Sequence, residues 1–241
     1  RDLHVNSRRQ RQMCIRASVC VVTLGNTLEI IDASNPGVPV LAGTISINHG
    51  PDGDVWAEDG YAYVAGGGQL EIIDIANPAM PSLAGTLSLG SGQNYISIQN
   101  DYAYVTSDSL LQIVDVSVPA SPIIVGSAEI GTAPSGIVVL GSHAYVVGGS
   151  HRLEVIDISN PASPFIVDAI GVANDPNSIA IEGEYAYVVG DSGILEIIDV
   201  SLYTNPSSTY TVSVDNDGNT VLATNNWPVS YTHLTLPTTV D

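Results

Sequence analysis

The chain has no lysine among its 241 residues, and its six cationic side chains are all arginines. Five of them, Arg1, Arg8, Arg9, Arg11 and Arg16, crowd into the N-terminal stretch, and the sixth is Arg152. Against them stand 25 acidic residues, for a formal net charge of −19. A surface this short of positive charge repels phosphate backbones, so nucleic acid is not an expected partner. It suits cationic partners, metal ions or a salty exterior, and its plainest use is solubility through self-repulsion. Long apolar runs are also missing, so direct membrane insertion is not expected. Helical patterning is absent: no window of three turns escapes glycine or proline or carries a stripe at 3.6 residues. Cysteine is limited to Cys14 and Cys20.

The two ends read unlike everything between them. The segment from Arg8 to Arg16 can be encoded by DNA whose reverse complement translates as Ser230 to Thr238, and the match extends outward to twelve consecutive positions. Chance does not make two protein ends antisense to each other. Residues 1–16 and 229–241 are therefore read as adapter-like, non-native tails, and residues 17–228 as the native repeats. A basic arm that binds nucleic acid is the alternative for the first tail. Between Ala17 and Pro228 the charge is about −22, with Arg152 the sole cation. Setting Cys14 aside leaves no partner for an intrachain disulfide.

What is there is repetition. Tyr61-Ala-Tyr-Val64 returns as Tyr102-Ala-Tyr-Val105, His143-Ala-Tyr-Val146 and Tyr185-Ala-Tyr-Val188. Each copy is followed by a Leu-Glu-Ile-Ile-Asp-like run whose Asp falls at Asp32, Asp74, Asp115, Asp157 and Asp199, in steps of 41 or 42 residues. A fixed period of this size means one small unit repeated, each copy burying its apolar faces on its neighbours. Within a copy, four short β-branched and aromatic runs are joined by turn chemistry, which predicts a four-stranded antiparallel meander. Apolar residues fall on both alternating faces, so each sheet is expected to lie between two others. A radial stack of such sheets is a β-propeller, and a single-sheet solenoid is the alternative. The spacing Asp-x-x-x-Pro-x-x-Pro recurs at Asp32/Pro36/Pro39, Asp74/Pro78/Pro81, Asp115/Pro119/Pro122 and Asp157/Pro161/Pro164. Each proline pair should end the third strand and launch the fourth, with the Asp carboxylate accepting backbone N–H bonds in the turn.

These runs, with Ala-Tyr-Val upstream and Asn-Pro-x-x-Pro downstream, resemble the LVIVD repeat family. The resemblance covers Val19 to about Asp199 and weakens after Val200, where Leu202-Tyr-Thr-Asn-Pro-Ser-Ser208 replaces the proline pair. It implies an all-β fold: a β-propeller of four-stranded antiparallel blades, about five repeats long, in a secreted or cell-surface protein. It implies no catalytic residues. Thr220-Val-Leu-Ala-Thr224 reads as a first strand, which would start a sixth blade or pair with the N-terminal copy. The ring is expected to be incomplete, an arc of a larger one.

A residue present in every copy serves the copy's own folding, so departures from the repeat are the better guide to function. The loops joining strand two to three and strand four to the next strand one share one face. On it lie the ligand-face candidates His49, Asp52, Asp54, Asp108, His151, Arg152, Asp175 and Asp191. Arg152 is the sharpest departure, able to anchor an anionic group of a ligand or to pair with a nearby acid. No metal site or catalytic residue is identified. Asp215-Asn-Asp-Gly-Asn219 begins like a calcium loop but lacks Gly at the sixth position and Glu at the twelfth, so a tight turn explains it better. Calcium is the one cofactor left open. Gly66-Gly-Gly68 is expected to be a flexible loop. The sequence thus predicts a non-enzymatic binding scaffold, extracellular or at the cell surface, with a protein or polysaccharide partner. The rival is a propeller enzyme, lactonase- or lyase-like, with a divalent metal at the ring centre.

Overall fold

The computed structural model of the chain describes residues 12–15, 19–201 apart from 36, 49–52, 93, 132, 150, 174 and 192, and then 209–214 and 220–224. Every regular element among them is a strand, and the strands fall into five antiparallel meanders. The first sheet is β1 (Gln12–Ile15), β2 (Val19–Leu24), β3 (Thr27–Asp32) and β4 (Val40–Ser46). The second is β5 (Asp54–Glu58), β6 (Tyr61–Gly66), β7 (Gln69–Asp74) and β8 (Ser82–Ser88). The third is β9 (Tyr95–Gln99), β10 (Tyr102–Ser107), β11 (Leu110–Asp115) and β12 (Ile123–Glu129). The fourth is β13 (Pro134–Leu140), β14 (His143–Gly148), β15 (Arg152–Asp157) and β16 (Phe165–Gly171). The fifth is β17 (Pro176–Glu182), β18 (Tyr185–Gly190), β19 (Ile194–Asp199), β20 (Thr209–Val214) and β21 (Thr220–Thr224).

Local chemistry sets these boundaries. Asp59 and Gly60 both hold positive φ, 49° and 84°, and close β5 onto β6 in two residues. That is the backbone hand that matches strand twist in a hairpin. Gly67 and Gly68, at 58° and 78°, do the same between β6 and β7. The triple glycine is therefore a tight turn and not a flexible loop, because both central positions need the left-handed region. Each proline pair lies between third and fourth strands as expected. A bulge follows in every complete copy, at Ile30/Ile31, Ile72/Ile73, Ile113/Val114 and Val155/Ile156. The fifth copy departs at its end. β21 pairs with β20, so it neither starts a sixth sheet nor reaches the N-terminal copy. At the other end β1 pairs with β2 and takes the first-strand position.

Packing runs between consecutive sheets through four apolar layers. Leu28, Ile30, Val55, Ala57, Ala62, Val64 and Ile73 join the first sheet to the second. Leu70, Ile72, Ile96, Ile98, Ala103, Val105 and Val114 join the second to the third. The third meets the fourth through Leu111, Ile113, Ile137, Ala144, Val146 and Ile156. Tyr145, Val147, Leu153, Val155, Ala186, Val188 and Ile198 join the fourth to the fifth. Each fully buried aliphatic side chain contributes about 1.5–3 kcal/mol of transfer free energy. Among the described residues no comparable layer joins the fifth sheet to the first. The stack is an open propeller arc, with both faces covered only in its middle three sheets.

A backbone lock repeats at the outer edge. A Cβ placed on Gly43, Gly85 or Gly126 would collide with the carbonyl oxygen of Pro78, Pro119 or Pro161 in the next sheet. The fourth strand can approach the neighbouring proline turn only because it has no side chain there. In the fourth sheet Asp168 stands at this position, and the fifth copy has no proline pair to meet it.

Candidate functional site

The meander sends its connections to two ends. On one end Ile47, Leu89, Ile130 and Val172 donate N–H to Asn26, Gly68, Ser109 and His151, tying each outgoing loop to the turn between strands two and three. On the other end Ile75, Val116, Ile158 and Val200 donate to Gly60, Asp101, Ser142 and Glu184. The described ligand-face candidates, Asp54, Asp108, His151, Arg152, Asp175 and Asp191, lie on the first end.

The repeated acids are spent on folding. Asp32, Asp74, Asp115, Asp157 and Asp199 each accept the backbone N–H two residues on, at 2.8 to 2.9 Å. Ser117 and Ser159 add hydroxyl bonds of 2.6 Å. Side-chain and backbone donors from Ser34, Ser117 and Ser159 hold Asp32, Asp115 and Asp157 below the usual carboxylate range. The glutamate of the Leu-Glu-Ile-Ile-Asp run is buried. Glu71 accepts from Asn48 N at 2.8 Å, Glu154 from Gly131 N at 2.9 Å and Glu196 from Ala173 N at 2.7 Å. Each carboxylate thus anchors the loop that enters its own sheet. These charge-assisted bonds are strong because they are shielded from water.

The candidates divide sharply. Asp54 is 5% exposed. It accepts N–H from Val55 at 2.9 Å and from Ile96 in the next sheet at 3.1 Å. Its carboxylate fastens the second sheet to the third. Asp108, at φ 51°, accepts the Ser91 hydroxyl at 2.9 Å. His49 and Asp52 lie outside the described residues, as does the Asp215–Asn219 turn. His151, Asp175 and Asp191 come together at the rim between the fourth and fifth sheets, and Arg152 follows His151 at the start of β15. His151 sits at φ 54°, in a turn one residue longer than in the three preceding copies, and its Nε2 lies 3.1 Å from Asp175 Oδ1. Asp191 N donates to Asp175 O at 3.3 Å, and the Asn177 amide donates to the Asp191 carboxylate. Arg152 is exposed, and no carboxylate among the described residues pairs with it. The acid it was weighed against is taken by its neighbour His151.

A carboxylate beside an imidazole orients the ring. Here both side chains are open to water, at 55% and 64% exposure, so nothing encloses a reacting group. His143, the other histidine with a described position, is a packed substitute for tyrosine. It stands 6.5 Å from the Tyr145 ring, and burial lowers its pKa against the pull of Asp157. Trp56 is half-buried between sheets, with its indole N–H 3.3 Å from Glu58 Oε2. One residue carries more than its repeat position suggested. Asn94 is 1% exposed at the mouth of the third sheet, and neither atom of its amide has a hydrogen-bond partner among the described residues. Among those residues no group of three His, Cys, Asp or Glu gathers as a metal site would require.

Comparison with known proteins now places the chain. Five stretches match the LVIVD repeat: residues 19–46, 49–88, 91–129, 131–170 and 173–214. The chain belongs to the LVIVD repeat family. Two solved structures share its architecture. A functionally unknown protein from Desulfotomaculum acetoxidans superposes with a TM-score of 0.70 at 15% identity, over 89% of this chain and 84% of that one. A protein from Lactobacillus plantarum gives 0.65 at 14% identity, over 89% of this chain and 69% of that one. At such identities the likeness speaks for the fold alone. No curated protein matches. The LVIVD repeats thus account for the residues that recur from blade to blade.

Proposed function

We propose that the arc is a non-enzymatic binding scaffold of an exported or cell-surface protein. Its partner is a protein or polysaccharide that offers one acidic group. The observation that carries this reading is Arg152: an exposed guanidinium without a carboxylate partner among the described residues, on a chain otherwise almost wholly acidic. A planar guanidinium grips a carboxylate through two parallel N–H bonds, which a lysine cannot copy. His151, its neighbour in the chain, is tied to Asp175. The acidic surroundings restrict the partner to one localised anionic group, since a polyanion would be repelled.

The test is calorimetric titration with an oligosaccharide bearing a single uronic acid and with its neutral counterpart. The acid-bearing sugar should bind more tightly, and R152Q should abolish the preference, while R152K restores it only in part. Equal binding by R152Q would discard this reading. Turnover of the sugar, or of a lactone, would favour the enzyme instead. Protease treatment of intact cells tests the location: an exported scaffold is cleaved, a cytoplasmic one is protected.

A further inference from the structure

A second site lies on the opposite end of the stack, between the second and third sheets. A cleft of about 260 Å³ opens there, lined by Glu58, Asp59, Tyr61, Tyr63, Asn100 and Asp101, with a floor of Ile98 and Val116. The repeat explains why it is open. Strand pairing aligns Glu58 with Gln99 and Leu140, since these residues face Tyr61, Tyr102 and His143 across their hairpins. Gln99 reaches into the next sheet and clips its turn, donating to Gly141 O at 2.7 Å and accepting from Gly141 N at 2.9 Å. A glutamate cannot donate, so Glu58 makes no such clip and instead takes the Trp56 indole N–H. The neighbours change with it. Asp59 and Asp101 stand where the following interface has Asn100 and Ser142. Three carboxylates line this cleft where the next interface has three neutral residues.

Aromatic rings complete the cleft. Tyr61 and Tyr63 stand 6.5 Å apart, tilted by 52°. Tyr63 is 6% exposed and forms part of the cleft wall. Burial, followed by the charges of Glu58, Asp59 and Asp101, pushes its pKa up to about 12, so the phenol stays neutral. The only cation among the described residues, Arg152, belongs to the other end of the sheets.

We propose that this cleft binds a small organic cation, an alkylammonium or guanidinium head, between the Tyr61 and Tyr63 rings and the carboxylates of Glu58, Asp59 and Asp101. Ring faces attract such cations through their quadrupole, and the carboxylates add direct charge. Inorganic cations, strongly hydrated, gain little from the rings.

The test is titration of the full chain with choline, methylguanidinium and sodium at matched ionic strength, read by Trp56 fluorescence and calorimetry. Acetylated arginine amide forms a further arm. Tighter binding of the free cations than of the amide identifies a small molecule as the source, and the reverse identifies a side chain of a protein. The organic cations should outbind sodium. The double variant E58Q/D101S, which installs the neutral residues of the next interface, should weaken them about tenfold. Y63F should weaken them less. D175N, an acid removed from the opposite end, should leave them unchanged. Equal loss in D175N would show only diffuse attraction to an acidic surface and overturn the site. So would unchanged binding in E58Q/D101S, or organic cations no better than sodium. Thermal melts of each variant separate lost binding from lost fold.

Discussion

The fourth and fifth sheets carry nearly the same side chains in different surroundings. Tyr145, Val147, Leu153 and Val155 on β14 and β15 correspond to Tyr187, Val189, Leu195 and Ile197 on β18 and β19. The first set is buried under the fifth sheet, and Val147 is 0% exposed. The second set has no sixth sheet above it, and Val189 is 44% exposed. The first sheet shows the mirror case. Ile31 is only half-buried, while its counterparts Ile73, Val114, Ile156 and Ile198 are fully buried by the preceding sheet. In a stacked-repeat protein the neighbour, more than the residue, sets what a side chain is worth.

The largest break in that comparison should come from the tyrosines. Y145A should cost about 3–5 kcal/mol in urea unfolding, because it empties a closed layer. Y187A should cost about 1 kcal/mol, as expected for a half-open site. Equal costs would mean that the fifth sheet is covered in solution. Next comes the outer-edge lock. G85A should cost about 2–3 kcal/mol, since the added methyl meets the Pro119 carbonyl and backbone must shift. D168G should change stability by less than about 1 kcal/mol, since the fifth copy lacks the proline pair in its sequence.

A smaller effect concerns association. The open face of the fifth sheet matches the face that the fourth presents to a neighbour, and concentrated protein should self-associate through it. V189K should lower the apparent mass in analytical ultracentrifugation without changing the melt. The smallest effect is local and should ignore position in the stack. Asp32, Asp115 and Asp157 have depressed pKa values, so their contribution is complete above the unfolded value near 3.8 and is lost as pH falls through the folded one. These carboxylates are exposed and solvent-screened, which keeps the effect small. S117A, in a middle sheet, should blunt the acid limb of the stability profile. S34A should do so equally in an end sheet. A difference between the two would make the turn sensitive to its neighbours.

The blades were legible because their causes are local. Period, turn residues and proline pairs act within one copy, and the Asp that closes each Leu-Glu-Ile-Ile-Asp run was readable from its distance to the following Ser or Ala. Contacts between copies were harder to read. Asp54 looked like a surface acid because its partner, Ile96 N, lies 42 residues away in the next sheet. The repeated glutamates gave no sign that each would anchor a loop 23 residues upstream. β21 carried a first-strand pattern, but a short return from β20 made hairpin pairing the nearer choice. His151, Arg152, Asp175 and Asp191 were found by asking what breaks the repeat. The Glu58 cleft yields to the same question put to the other set of turns, where Glu58, Asp59 and Asp101 stand in place of Gln99, Asn100 and Ser142.

Hydrogen exchange resolved by sheet tests the open arc most directly. Amides of β14 and β15 should exchange at rates near the limit of global unfolding, while those of β18 and β19 exchange much faster through opening of the uncovered end. Equal, high protection in the fourth and fifth sheets, with matching protection of β3, would contradict an open stack and mean that its two ends are covered.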